Sequence, residues 1–419
     1  MHQEASDPSG AQSETVPRAV EPFRAALYDP AVVGDIATVC SPPYDVVDEE
    51  ELGQLLDSSP FNSVRLILPR CLLNSESPST DAQSPAVRAR ELLRSWLQEG
   101  VLAVDDKPCL YSYEMEYVHP LYGHSTTRGV IAAVSLELPD RIFPHEDTLE
   151  QPLSDQMALL EATRANLSPI YLLATSPNSD ISATAQEATK SLGRCIEAGN
   201  VHKFGRIADP SAIGEICRAL EGCEYVIADG HHRFEAARRL HATRPGPGTD
   251  RIMALVVALE DATRALRPTH RIVPSDAVDR GHSLSSVSAR PARLASAFEE
   301  AFGPLEATLP DPEILDPLLA DGHPVAILCR PGNSADHQAT PTVLVGQVQE
   351  TDSSADPVSM EASLPVVVLH RKVLRDYSPG ALSYTPSAEE AFAAVAKGSA
   401  QAAFLLPQPD IKAVVALAR

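Results

Sequence analysis

The stretch that most constrains this chain is Tyr225-Val226-Ile227-Ala228-Asp229-Gly230-His231-His232-Arg233-Phe234-Glu235-Ala236-Ala237. Apolar residues of strand length run into Asp-Gly, and a helical pattern with Phe234, Ala237 and Leu240 on its inner face begins at once. A fold holding this segment must join a buried strand to a helix through a tight turn. Tyr111, Tyr113, Met115 and Tyr117 alternate with Ser112, Glu114 and Glu116, the period of two of a half-buried strand. Val130 to Leu138 follows the turn Tyr122-Gly123-His124 as its antiparallel partner. Hairpins mixed with strand-helix units, without strict alternation, predict the α+β class with mixed sheets.

Further strands are expected at 64–68, 170–174, 252–259, 325–329, 343–348 and 403–406, and helices around 181–198, 211–221, 232–243, 291–301 and 387–397. Short helices are read from Leu52, Leu55 and Leu56, and from Leu92, Leu93, Trp96 and Leu97. Ser75 to Ser84 reads as a Ser/Pro-rich loop. Residues 1–20 have the polar, Pro-containing composition of a disordered tail. The folded region, 21–419, divides into an N-terminal α+β part at 21–140, a core at 141–285 that holds the Asp-Gly-His-His-Arg turn, and a C-terminal α+β part at 286–419.

The chain carries 57 acidic and 34 basic side chains, a net charge of −23. That excess repels phosphate backbones and anionic headgroups, which argues against nucleic acid and membrane as partners. No window reaches the roughly 20 apolar residues that cross a bilayer, and residues 1–20 lack a basic start followed by an apolar run. A cytoplasmic location is the expectation. Seven scattered cysteines with no C-x-x-C pair fit neither a disulfide framework nor a zinc finger.

Three clusters can carry chemistry. At the turn after the strand 225–228, Gly230 permits close backbone approach, the helix N-terminus adds partial positive charge, and Arg233 can grip phosphate oxygens in a fork. His231 and His232 supply proton transfer near neutral pH. An ordinary strand-to-helix turn with Asp229 as its cap is the plain alternative. The second cluster is Pro144-His145-Glu146-Asp147-Thr148 with Ser154, Asp155 and Ser168-Pro169, whose acids can hold Mg²⁺ or act as a base; a solvated charged turn is the alternative. The third, Pro42-Pro43-Tyr44-Asp45, sets a phenol and an acid in a stiffened turn. Thr269-His270-Arg271 follows a turn at Arg267-Pro268, while His370-Arg371 reads as structural. Nucleotide-loop, dinucleotide, hydrolase-elbow and zincin motifs are all missing.

In this order, Pro-Pro-Tyr-Asp-Val-Val at 42–47, Pro-His-Glu-Asp-Thr at 144–148, Asp155, Ser168-Pro169, Ala-Asp-Gly-His-His-Arg-Phe-Glu-Ala-Ala at 228–237 and Pro-Thr-His-Arg at 268–271 resemble the uncharacterised bacterial and archaeal family DUF1015. The resemblance runs from about Pro22 to the C-terminus. The Asp-Gly-His-His-Arg turn is also similar to the phosphate-binding turn of the ParB/sulfiredoxin superfamily, which includes free-serine kinases and CTP-binding partition proteins. What the resemblance implies is a ParB/sulfiredoxin-like nucleotide-binding core with Gly230, His232 and Arg233 on the phosphates.

On this reading the chain is a small-molecule phosphotransferase or phosphoester-processing enzyme, serine-kinase-like, taking a phosphate compound or nucleotide (ATP, ADP or CTP) with Mg²⁺. The catalytic group would come from His232, Glu146, Asp229 and Asp45, and the phosphate contacts from Gly230, His231, Arg233, His145, Thr148, His270 and Arg271. A non-catalytic nucleotide-binding switch and a metal-dependent hydrolase are the alternatives.

Overall fold

The computed structural model describes residues 18–407 apart from 71–83, 120–122, 139, 145–147, 149, 176, 198, 263–268, 278–289, 309–314, 316, 320–321, 330–340, 348–363 and 386. The fold is α+β, as expected. Two compact units form, Met1–Met115 with Arg128–Ala258, and Glu116–Thr127 with Leu259–Arg419. Their edges fall inside a hairpin and directly after a strand, where no Pro-, Gly- or Ser-rich linker marks them; the pattern-based edges were 140 and 285. Among the described residues no helix is long and apolar enough to cross a membrane.

The first unit is built on a nine-stranded mixed sheet. Its strands are β1 (Val20–Glu21), β4 (Leu110–His119), β5 (Gly123–Ser135), β6 (Ile142–Phe143), β7 (Ile170–Ala174), β8 (Thr189–Glu197), β9 (Asn200–Ile207), β10 (Tyr225–Asp229) and β11 (Arg251–Ala258). They lie in the order β6-β10-β7-β11-β5-β4-β9-β8, with β1 on β5. β10 runs parallel to β6 on one side and antiparallel to β7 on the other, so it lies inside the sheet and is buried on both faces. That burial explains why Tyr225, Val226 and Ile227 are consecutive apolar residues with no alternation. The helix Glu150–Thr163 packs against both Pro85–Gln98 and His231–Thr243. A separate two-stranded antiparallel sheet, β2 (Ala26–Tyr28) with β3 (Leu102–Val104), adjoins a small core around Trp96, Leu66 and Phe61.

The second unit holds β12 (His270–Pro274), β13 (Pro304–Thr308), β14 (Val325–Cys329), β15 (Pro341–Gly346), β16 (Ser383–Thr385) and β17 (Ala400–Leu405) in the order β13-β15-β14-β17-β12-β16. Every pairing in it is antiparallel. Ala402 and Phe404 face a core shared with Leu294 and Phe298 of the helix Arg290–Phe302. Ala403 and Leu405 face the opposite core with Ala391 and Val395 of the helix Ala388–Ala396. Ser387 caps that last helix by accepting from the Glu390 N–H at 3.1 Å, as its spacing predicts.

Three local expectations are corrected. Val64–Ile67 is a helical turn and not a strand: the Asn62 carboxamide accepts from the Val64 N–H at 2.9 Å and starts it. The expected helix 181–198 ends at Ala188 and becomes β8, which turns at Gly199 (φ +80°) into β9. A short apolar run and a Gly-containing edge strand have no period that separates helix from strand. The expected tail reaches into the fold, since Ala19 and Val20 are fully buried and β1 pairs with β5. Most of the loop expected at 75–84 lies outside the described residues; its last residue, Ser84, caps the helix Pro85–Gln98.

Candidate functional site

At the end of β10 the register against β7 shifts between Ile227 and Asp229, and Gly230 then takes the left-handed conformation (φ +92°, ψ 29°) before the helix His231–Thr243. A side chain there is excluded twice. L-residues rarely adopt that φ, and an added Cβ would stand 2.7 Å from Ile170 Cγ2 and 3.2 Å from Arg233 Cζ. The turn is therefore built around a residue without a side chain, and no side chain caps the helix that follows.

Arg233, one turn along, has a side chain only 9% exposed, and its guanidinium is engaged. Nη1 donates to Ser168 Oγ at 2.7 Å and to the Pro169 carbonyl, and Nη2 donates to the Asp229 carboxylate at 2.5 Å. Nε is buried without a hydrogen-bond partner among the described residues. The forked grip expected on a phosphate is thus directed at the protein: it fastens the turn to the Ser168-Pro169 segment ahead of β7, while the positive charge stays at the site.

A cleft of about 40 Å³ adjoins this clasp, lined by Tyr44, Gln156, Asn166, Ser168 and Arg233 among others. At roughly 10–15 Å³ per water it holds about three waters, the scale of one small polar group and far below a nucleotide. Burial pushes the Tyr44 hydroxyl pKa up, the Asp45 charge adds to this, Arg233 opposes it, and Asp229 and Asp155 raise it further. The 45 and 229 clusters are therefore within electrostatic reach of one phenol, which stays protonated at neutral pH. Asp155 is itself held by an ion pair with Arg70 and by the Gln151 amide at 3.2 Å.

His231 is buried and His232 half-buried in the first turn of the helix. Thr148 is half-buried just ahead of the helix Glu150–Thr163, and His145 and Glu146 lie outside the described residues. His270 and Arg271 belong to the second unit and are used within it. His270 is 2% exposed, and its Nδ1 accepts from the Leu406 N–H at 3.2 Å; burial, helped by Arg271, pushes its pKa down to about 4, so it is neutral at pH 7. Arg271 donates from Nε to His370 Nε2 at 3.1 Å and stacks over the Tyr384 ring. Among the described residues no three His, Cys, Asp or Glu side chains converge to hold a metal ion.

Tyr44, Asn166 and Gln156 were not singled out as site residues from the sequence. The first was visible within Pro-Pro-Tyr-Asp; the other two carry no local signal, because only the fold brings them to the cleft.

A family model described as a protein of unknown function, DUF1015, matches residues 20–345. No curated protein matches the chain. Among solved structures, a conserved hypothetical protein from Pyrococcus furiosus is 14% identical over 68% of this chain and 82% of its own, with a TM-score of 0.27. A score that low carries no argument about fold.

Proposed function

Since the chain belongs to the DUF1015 family of proteins of unknown function, we propose that its first unit handles the phosphoryl group of a small polar metabolite, as a phosphotransferase or phosphoester-processing enzyme. The observation that carries this reading is the left-handed Gly230 turn at an uncapped helix N-terminus, set beside a cleft that gathers Tyr44, Ser168 and Arg233. Backbone N–H groups and the helix dipole attract an anion. Arg233 adds charge from a fixed position, and the protonated Tyr44 donates a hydrogen bond to a phosphoryl or leaving-group oxygen. Asp45 or Asp229 takes the proton from an attacking hydroxyl or water as its oxygen bonds to phosphorus, and His232 returns a proton to the departing oxygen. Phosphoryl transfer asks chiefly for such positioning and charge. Among the described residues no three ligating side chains converge on a metal, and Mg²⁺ would accompany a nucleotide substrate.

A phosphate-release and phosphate-transfer screen over phosphorylated small metabolites, with ATP, ADP and CTP as donors, tests the reading. Asp45→Asn should lower turnover at least about 100-fold while leaving ligand binding in place, the usual scale for a general base. Full activity in Asp45→Asn and in Asp229→Asn would remove the assigned base. Tight nucleotide binding with no turnover in the wild type would favour the non-catalytic switch.

A further inference from the structure

A second hollow in the first unit is untouched by the proposed phosphoryl chemistry. On three adjacent strands of the nine-stranded sheet, β5, β4 and β9, one face changes character along the strand. Val130, Leu110 and Ile207 are fully buried in the core that includes Ile181 and Ala185 of the helix Ile181–Ala188. Two residues along each strand, on the same face, stand Arg128, Ser112 and Gly205, and two further along stand Glu114 and Lys203. The apolar face thus gives way to a polar one. Gly205 keeps that surface low, since a Cβ there would stand 2.2 Å from Thr189 Cγ2 and 2.6 Å from Ser112 Oγ. The result is a cavity of about 200 Å³, against about 40 Å³ for the cleft beside Arg233, lined by Ser112, Glu114, Arg128, Gln186, Thr189 and Lys203 among others. At roughly 10–15 Å³ per water it holds on the order of 15 waters, the scale of a small metabolite.

The charges in this cavity are held in fixed positions. Arg128 Nε donates to Glu114 Oε2 at 2.6 Å, and Lys203 Nζ donates to Glu114 Oε1 at 2.9 Å. Burial works to raise the Glu114 pKa, and the bonds from Lys203 and Arg128 outweigh it and lower the pKa, so the carboxylate is ionised at neutral pH. With both oxygens engaged, Glu114 is a post that holds the Arg128 guanidinium by its Nε edge. The paired Nη groups are left for a second planar anion, and the side chain is 37% exposed, within reach of a solute. The neighbouring Glu114 charge selects among anions, because it opposes a dianion such as phosphate more than the single charge of a carboxylate. Along the walls, the hydroxyls of Ser112, Thr189 and Ser191 and the Gln186 amide both donate and accept, which suits hydroxyl groups on a ligand.

We propose that this cavity binds a small hydroxylated carboxylate, of the hydroxy-acid or sugar-acid class, with its carboxylate on the Arg128 Nη groups and its hydroxyls on the Ser, Thr and Gln side chains of the walls. Glu114 and Lys203 are positioning residues that hold the fork in place. The site stands independently of the phosphoryl reading, since the two cavities share no lining residue.

The test is calorimetric titration of the full-length protein with glycerate and gluconate, set beside the matching uncharged polyols, glycerol and glucitol, and beside inorganic phosphate. At least one acid should bind at one site per chain, with its polyol and phosphate about tenfold weaker or more. Arg128→Gln should weaken the acid about tenfold or more, the scale of a lost charge-assisted contact. Arg128→Lys should not restore it, because an ammonium keeps the charge and lacks the fork. Tyr44→Phe, which alters the other cleft, should bind the acid as the wild type does. Hydrogen exchange of the wild type with the acid bound should show protection in segments 112–114 and 189–204, which locates the site even where an Arg128 variant does not fold. Absence of binding by both acids at millimolar concentration, a polyol or phosphate that binds as tightly, unchanged binding in Arg128→Gln, or protection confined to other segments would each overturn the proposal.

Discussion

Replacing Gly230 by alanine should destabilise the first unit by about 2–5 kcal/mol through two separable causes. Holding a non-glycine residue in the left-handed region costs about 1–2 kcal/mol. The new methyl would also meet Ile170 Cγ2 at 2.7 Å and Ile170 Cβ at 3.0 Å, and Ile170 is fully buried in the sheet core with no room to retreat. Overpacking of that kind costs about 1–3 kcal/mol. Against a typical total of roughly 5–15 kcal/mol the loss is large. The chain has one tryptophan, Trp96, buried in the first unit, so urea unfolding followed by its fluorescence reports on that unit alone. Gly230→Asn separates the causes: asparagine tolerates the backbone angle but keeps the Cβ, so it should recover only the smaller, conformational part. Ile170→Ala removes Cγ2, and combined with Gly230→Ala it should cost less than the sum of the two single changes by about 1 kcal/mol or more. A Gly230→Ala loss below about 0.5 kcal/mol, or strict additivity with Ile170→Ala, would refute the reasoning.

Other consequences follow from particular contacts. Asp229→Asn removes one charged partner of the nearly buried Arg233 and should lower stability by about 1–2 kcal/mol, discounted because Asp229 is 45% exposed; an unchanged urea midpoint would show that the clasp holds without it. His270 has a folded pKa of about 4 against the ordinary histidine value of about 6.5, so the unfolded chain binds the extra proton between these values. Stability is therefore full above pH 6.5 and falls by up to about 3 kcal/mol as the pH drops toward 4, because a protonated Nδ1 can no longer accept from the Leu406 N–H. His270→Gln should flatten that slope, and an equally steep slope in the variant would place the titration elsewhere. Tyr44→Phe should weaken phosphate-compound binding by about 1 kcal/mol or more with little change in unfolding, the reverse of the pattern expected for a core residue.

The strand, turn and helix at 225–243 were legible because three signals agree there: an apolar run, a glycine and a helical period. Val64–Ile67 was not, since three apolar residues about Arg65 fit either structure and the deciding contact is the Asn62 side chain. β8 carried Gly193 and a turn at Gly199, but an exposed edge strand lacks the alternation that announces a half-buried one. The candidate site was readable as a set of motifs and not as an arrangement. Arg233 could be seen as a phosphate fork, while its engagement by Ser168 and Pro169 depends on β7 lying beside β10. His270 and Arg271 looked like members of the same site because dipeptide chemistry says nothing about which sheet a residue joins; β12 carries them into the second unit.

The most direct test of the central claim is a thermal-shift comparison of wild type and Tyr44→Phe with ATP, ADP, CTP, pyrophosphate and phosphoserine, with and without Mg²⁺. A ligand at a hundredfold excess over its Kd stabilises the native state by about 2.7 kcal/mol, which is readily seen. The account predicts a clear upward shift for at least one phosphate compound in the wild type, reduced in Tyr44→Phe. No shift with any of them, or one unaffected by Tyr44→Phe, would make the Gly230 turn a purely structural joint and contradict a phosphoryl site at this cleft.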